Sequence, residues 1–165
     1  MEQVILGIDP GNARCGWGVI REDDGGELKL VACGCVETPK EALPGERLSE
    51  VYEGISRVIA EYKPDCMAIE KLFFNRNITS AIAVAEARGV ILLAAQQAGL
   101  PVSEYTPSEI KETMTGDGRA KKSDIGRMVV LTLGLKKKPT PDDTADAVAI
   151  AITHQFWGGL NAVQL

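Results

Sequence analysis

The sequence predicts an α/β fold, a mixed five-stranded sheet flanked by helices on both faces, and three observations lead to it. Three β-rich runs open the chain, after which helical and strand periods alternate. The length of 165 residues suits one domain, and 45% hydrophobic with 25% charged residues is ordinary globular composition. No apolar run reaches the eighteen or so residues that a membrane span requires, and the opening residues lack the basic region and cleavage site of a signal peptide. The expected location is the cytoplasm, with no membrane partner.

Residues 4–8, Val-Ile-Leu-Gly-Ile, form a continuous apolar run stopped by Asp9-Pro10-Gly11, which reads as a buried strand entering a loop. Residues 15–21 and 27–37 follow as strands. The Asp23-Asp24-Gly25-Gly26 turn between them makes a hairpin, so the chain opens as a three-strand meander. From Pro44 to Tyr62 the period changes: Leu48, Val51, Tyr52, Ile55, Val58 and Ile59 recur at three and four, giving an amphipathic helix closed by Lys63-Pro64. Residues 66–69 make a short buried strand delivering Glu70. A loop from Lys71 to Asn77 leads to an alanine-rich helix of about twenty residues, ended by Gly99 and Pro101. Residues 102–105 are a fifth strand. Pro107 opens a helix to about Thr115, Gly116-Asp117-Gly118 is a tip, and a helix runs from about Lys121 to Leu133. Thr140-Pro141 caps the last helix, which reaches about Trp157. The domain is therefore placed at residues 1–157, with 158–165 as a short C-terminal tail.

The net charge of −5 opposes a generic nucleic-acid binder, but it hides a segregation. Residues 1–110 carry 10 basic and 17 acidic side chains, for −7, whereas residues 111–138 carry 8 basic and 3 acidic, for +5. Asp142, Asp143 and Asp146 follow at once. Such an arrangement suits a polyanion held near a cation-binding site, although a solvated helical face would look the same. Cys15, Cys33, Cys35 and Cys66 show no CxxC spacing and read as reduced structural thiols.

Asp9 and Glu70 each end an apolar strand, and ligands of α/β sheets bind beyond the carboxyl ends of strands. Asp143 and Asp146 share one face of the last helix. Asp142 and Asp143 admit a simple account, since Thr140-x-x-Asp143 resembles a capping pair. Asp146 does not, because Ala145 to Ile152 is apolar nearly all round, and an unpaired buried carboxylate costs several kcal/mol. Four such acids with no basic partner built in call for divalent cations. An all-oxygen ligand set selects hard ions, Mg²⁺ or Mn²⁺, and two per site would serve in-line displacement at phosphorus. Phosphodiester hydrolysis is the reading.

At these residues the chain resembles a known family. Ile8-Asp9-Pro10-Gly11 with Gly16 to Ile20, Ala68-Ile69-Glu70 followed by Phe73, Ala87-Arg88-Gly89, and Ala145-Asp146-Ala147 running to His154 are similar to the RuvC family of Holliday junction resolvases over about residues 3–157. The resemblance implies an RNase H-like fold, a homodimer and Mg²⁺-dependent paired nicking of four-way DNA junctions in recombination and repair, alongside a RuvA–RuvB branch-migration complex. By matching position it makes Asp9, Glu70, Asp143 and Asp146 the catalytic, metal-binding carboxylates. It places Lys111 and Lys122 as basic residues near the site that contact DNA.

Further DNA contacts are expected from Phe73, which with Phe74 follows Glu70 in a polar loop and is placed to stack on an unpaired base, and from Arg76, Arg119 and Lys121. Plugging of the core is the other account of the phenylalanines. His154 reads as a satisfied core histidine. Residues 80–98 carry more apolar surface than one sheet face would cover, which points to a two-fold dimer through this helix and to a charge at a position such as Ala87 as its test. Competing readings are a related nuclease acting on RNA, an actin-like ATPase, for which the chain lacks a second lobe, and a non-catalytic DNA-binding module, whose four acids would repel phosphate.

Overall fold

The computed structural model describes residues 3–73, 78–158 and 162–163. Strands β1 (Val4–Asp9), β2 (Arg14–Glu22) and β3 (Leu28–Glu37) form the expected antiparallel meander. Helix α1 (Pro44–Tyr62) then crosses to β4 (Cys66–Glu70), which lies parallel to β1, and α2 (Ile78–Gln97) crosses to β5 (Val102–Tyr105), parallel to β4. Helices α3 (Pro107–Thr115), α4 (Lys122–Thr132) and α5 (Asp142–Trp157) follow. The strand order is β3-β2-β1-β4-β5, and a sixth short strand, β6 (Ala162–Val163), adds antiparallel to β5 within the segment expected as a tail.

Two apolar layers sandwich the sheet. Leu6, Ile8, Met67 and Ile69 meet Val51, Ile55 and Ile91 of α1 and α2 on one face. Ile5, Ile20, Ala68 and Tyr105 meet Ile110, Ile125, Val129 and the body of α5 on the other. The alternation of Ile5 with Leu6 and of Ala68 with Ile69 between the two layers is the period-two geometry of strands covered on both faces.

Helix α5 is the central element, buried from Thr144 to His154 except at Asp146. It lies across β1 and β2 because glycines leave it room. A β-carbon at Gly7 would fall 2.7 Å from the amide nitrogen of Ala151, and one at Gly16 would collide with the carbonyl of Asp143. Glycine weakens a strand interior, so its presence there marks a close backbone approach.

Three expectations need correction. The cap of α5 is Pro141, which provides no side-chain bond, so the Thr140–Asp143 capping pair does not form; Asp142 instead accepts a 2.7 Å bond from Lys138 Nζ. Helix α2 is long and apolar enough to cross a membrane, because Glu86 and Arg88 interrupt its apolar residues without lowering their average much. In this fold Ala87, Ile91 and Ala95 of α2 are buried in the core, and Arg88 pairs with Glu104 of β5. Ala87 is thus a core position, and the exposed apolar stripe of α2 runs through Ile78, Ile82 and Leu93.

Candidate active site

Parallel pairing of β1 with β4 aligns Ile8 with Ile69, so the next residues, Asp9 and Glu70, emerge side by side at the carboxyl ends of the two strands. On the other side Asp9 pairs with Gly16, and the missing side chain there admits the first turn of α5. That turn brings Asp143 and Asp146 over the strand ends. Asp9, Glu70 and Asp146 line one cavity of about 240 Å³ together with Lys111 of α3 and Lys122 of α4; Pro107, Ile110 and Ile125 form its apolar wall. Asp143 lies just outside this lining, with Arg14 Nη1 4.0 Å from its carboxylate.

The acids strain against one another. Burial, and then the charges of Glu70, Asp146 and Asp143, push the Asp9 carboxyl up to about 8, against the pull of Lys122. Glu70 is raised by burial and by Asp146, with Lys122 and Lys111 opposing. Asp146 is raised by burial, although Lys122 counteracts it. Lys122 Nζ lies 2.6 Å from Asp146 Oδ2, and this bond lifts the lysine pKa. The site therefore has a basic partner built in, contrary to the sequence expectation. The partner was illegible because the contact depends on how α4 crosses α5, not on spacing along the chain.

Among the described residues no three His, Cys, Asp or Glu side chains are already drawn in as a metal cage. The donor chemistry nonetheless fits a hard dication: three carboxylates from separate elements line one cavity, and burial and mutual repulsion make their full ionisation costly without added positive charge.

Phe73, just beyond Glu70, is 56% exposed, which removes the core-plug account for that ring. Phe74 and Arg76 lie outside the described residues. Arg119 and Lys121 are exposed around the turn before α4, Arg119 N–H donating to Asp117 Oδ1 at 2.9 Å. His154 is buried between the Tyr105 hydroxyl, 2.8 Å away, and Cys66 Sγ, 3.2 Å away, as a satisfied core histidine. Nothing local in the chain marks Arg14 as a neighbour of Asp143, whereas the structural role of Gly7 and Gly16 has a signal, glycine inside otherwise good strands.

A meander joined to two parallel crossovers, with acids at the ends of β1 and β4 and on the closing helix, defines an RNase H-like domain with an acidic centre. A family model described as "Crossover junction endodeoxyribonuclease RuvC" matches residues 5–154, and the chain belongs to the RuvC family. A relative of that name from Moorella thermoacetica is 50% identical over 151 residues, covering 92% of this chain and 90% of the relative. The solved Thermus thermophilus RuvC structure superposes with a TM-score of 0.89 at 36% identity, covering 99% of this chain and all of the other. The same protein solved in complex with a Holliday junction substrate gives 0.91 at 35% identity, with 99% of each chain covered.

Proposed function

We propose that this chain is a crossover junction endodeoxyribonuclease that resolves four-way DNA junctions by paired, Mg²⁺-dependent phosphodiester hydrolysis. The carrying observation is the convergence of Asp9, Glu70 and Asp146 from β1, β4 and α5 on one cavity that also holds two lysines. These three acids would hold the metal, with Asp143 beside them on the same helix face. When bound, Mg²⁺ or Mn²⁺, two per site, supplies the positive charge that activates a water and offsets charge on the leaving oxygen. Asp9 and Glu70, fixed at the carboxyl ends of two adjacent central strands, would hold the cation where the reacting phosphate docks. Lys111 and Lys122 offset phosphate charge at the cavity mouth, and the apolar wall of Ile110 and Ile125 limits water on that side. Phe73 stacks on a base opened at the junction, while Arg76, Arg119 and Lys121 hold the arms.

A junction has two-fold symmetry, so a homodimer through the exposed stripe of α2 places one acidic centre on each of two strands. Family membership supports work in recombination and repair in the cytoplasm beside a RuvA–RuvB branch-migration complex, with residues 1–157 as the nuclease domain. The test is incubation with a synthetic four-way junction, a linear duplex and an RNA–DNA hybrid, with Mg²⁺ or EDTA. Paired nicks in the junction alone, and only with metal, are expected. Equal cutting of the hybrid, or cutting in EDTA, would overturn the proposal.

A further inference from the structure

We propose that Lys122 is a latch on the metal site: its ammonium occupies Asp146 until a divalent cation displaces it, and the freed ammonium then binds a junction phosphate. The inference rests on the metal-dependent reading above and adds a coupling between metal and DNA that this reading does not require.

The contact itself is the first observation. Lys122 Nζ sits 2.6 Å from Asp146 Oδ2 in the lining of the acidic cavity, and an ammonium and a dication bonded to one oxygen would repel each other strongly. The lysine is the mobile member of the pair, its side chain 63% exposed while that of Asp146 is 20% exposed. The ammonium can therefore leave toward solvent, and the buried Asp146 carboxylate tolerates its departure only when a cation takes its place. A dication facing Asp9, Glu70 and Asp146 could bond all three, whereas the ammonium bonds Asp146 and acts on Asp9 and Glu70 only through its field.

The second observation is where the freed side chain can go. Lys122 borders two spaces, the acidic cavity and an adjoining groove of about 150 Å³ lined by Ser123, Gly126, Lys138 and Asp142. Lys138 crosses Gly126 on its way to Asp142, and a β-carbon at Gly126 would lie 2.6 Å from Lys138 Cδ. The Lys122 ammonium thus stands on the rim between the cavity and a groove whose other lysine, Lys138, is held by Asp142, and from that rim it can turn to a phosphate approaching from solvent. Without metal its charge is spent on Asp146; with metal it is available to phosphate. Metal and junction must then strengthen each other's binding, since coupling is reciprocal.

Lys111 provides the comparison, because it lines the same cavity but acts on Glu70 only through its field. Calorimetric titration of Mg²⁺ into the DNA-free full chain should show Lys122→Gln binding roughly three- to tenfold tighter than wild type. Junction affinity is then read by fluorescence anisotropy in EDTA and in Ca²⁺, a hard cation for the same oxygen donors, with gels confirming intact DNA. Lys122→Gln should lose roughly tenfold in Ca²⁺ and less than about twofold in EDTA, whereas Lys111→Gln should lose a similar factor in both. Unchanged or weaker Mg²⁺ binding by Lys122→Gln, or an equal loss of junction affinity in both conditions, would overturn the latch alone. Wild type that takes up no Mg²⁺ would overturn the metal reading and the latch together.

Discussion

Replacing Gly16 by alanine should separate the acids without touching any of them. Gly16 pairs with Asp9, and its added β-carbon would fall well inside 3.0 Å of the Asp143 carbonyl, where ordinary contact begins near 3.4 Å. The obstacle is helix backbone, which cannot rotate aside as a side chain can. The first turn of α5 must therefore lift by on the order of 1 Å, and displacements of that size in a catalytic centre cost about 10²-fold. Overpacking adds roughly 1–3 kcal/mol of destabilisation, or about 2–12 °C in Tm for a chain of this size. The assay is junction cleavage in Mg²⁺ at a temperature well below the lowered Tm. Gly45→Ala, where the new β-carbon meets nothing within 4 Å, is the control and should leave both quantities near wild type. A Gly16→Ala protein with a Tm within a degree of wild type and full cleavage would refute the argument that this glycine sets the height of α5 above the site.

Phe73→Ala should leave Tm nearly unchanged, because the ring is exposed, yet weaken junction processing by roughly 1–3 kcal/mol if a base stacks on it; a large fall in Tm would show a packing role. In EDTA the raised Asp9 pKa means that the folded protein keeps a proton that the unfolded chain releases, so this group's contribution falls from its ordinary 3.8 up to about 8. Buried His154, held below its ordinary 6.5, works the other way, its contribution being lost as pH falls. The diagnostic is therefore the difference between wild type and Asp9→Asn, which should widen in favour of the variant up to pH 8 and shrink when Mg²⁺ is added; a difference independent of pH would remove the shift. Sedimentation should report about twice 17.7 kDa, and Ile82→Glu or Leu93→Glu should give folded monomers; dimers that persist in both would move the interface away from α2.

Elements whose signal is local were legible. The Pro44–Tyr62 helix announces itself by apolar spacing and by proline at each end, and Asp9 and Glu70 by closing apolar strands. Asp146 stood out because an acid in an apolar helix demands a partner. What the sequence concealed was contact between separate elements: Lys122 reaching Asp146, Arg14 approaching Asp143, and Lys138 bonding Asp142. The misplaced cap has a related cause. Thr140 has the right chemistry for capping, but the helix starts one residue later, so the Thr140 side chain has no place in the cap. Ala87 was misassigned because α2 is apolar on several faces, and composition alone does not tell the core face from the exposed one.

The central claim is that Asp9, Glu70 and Asp146 act as one metal-holding set for junction cleavage. The most direct measurement is single-turnover cleavage of a labelled four-way junction by Asp9→Asn, Glu70→Gln and Asp146→Asn, with junction binding measured in parallel and Asp142→Asn as control. Each of the three is expected to lose cleavage while binding the junction at least nearly as well as wild type, since each substitution would remove a proposed metal ligand and a phosphate-repelling charge together. Asp142→Asn, whose carboxylate bonds Lys138 at the surface, should cut normally. Near wild-type cleavage by any of the three would contradict the claim.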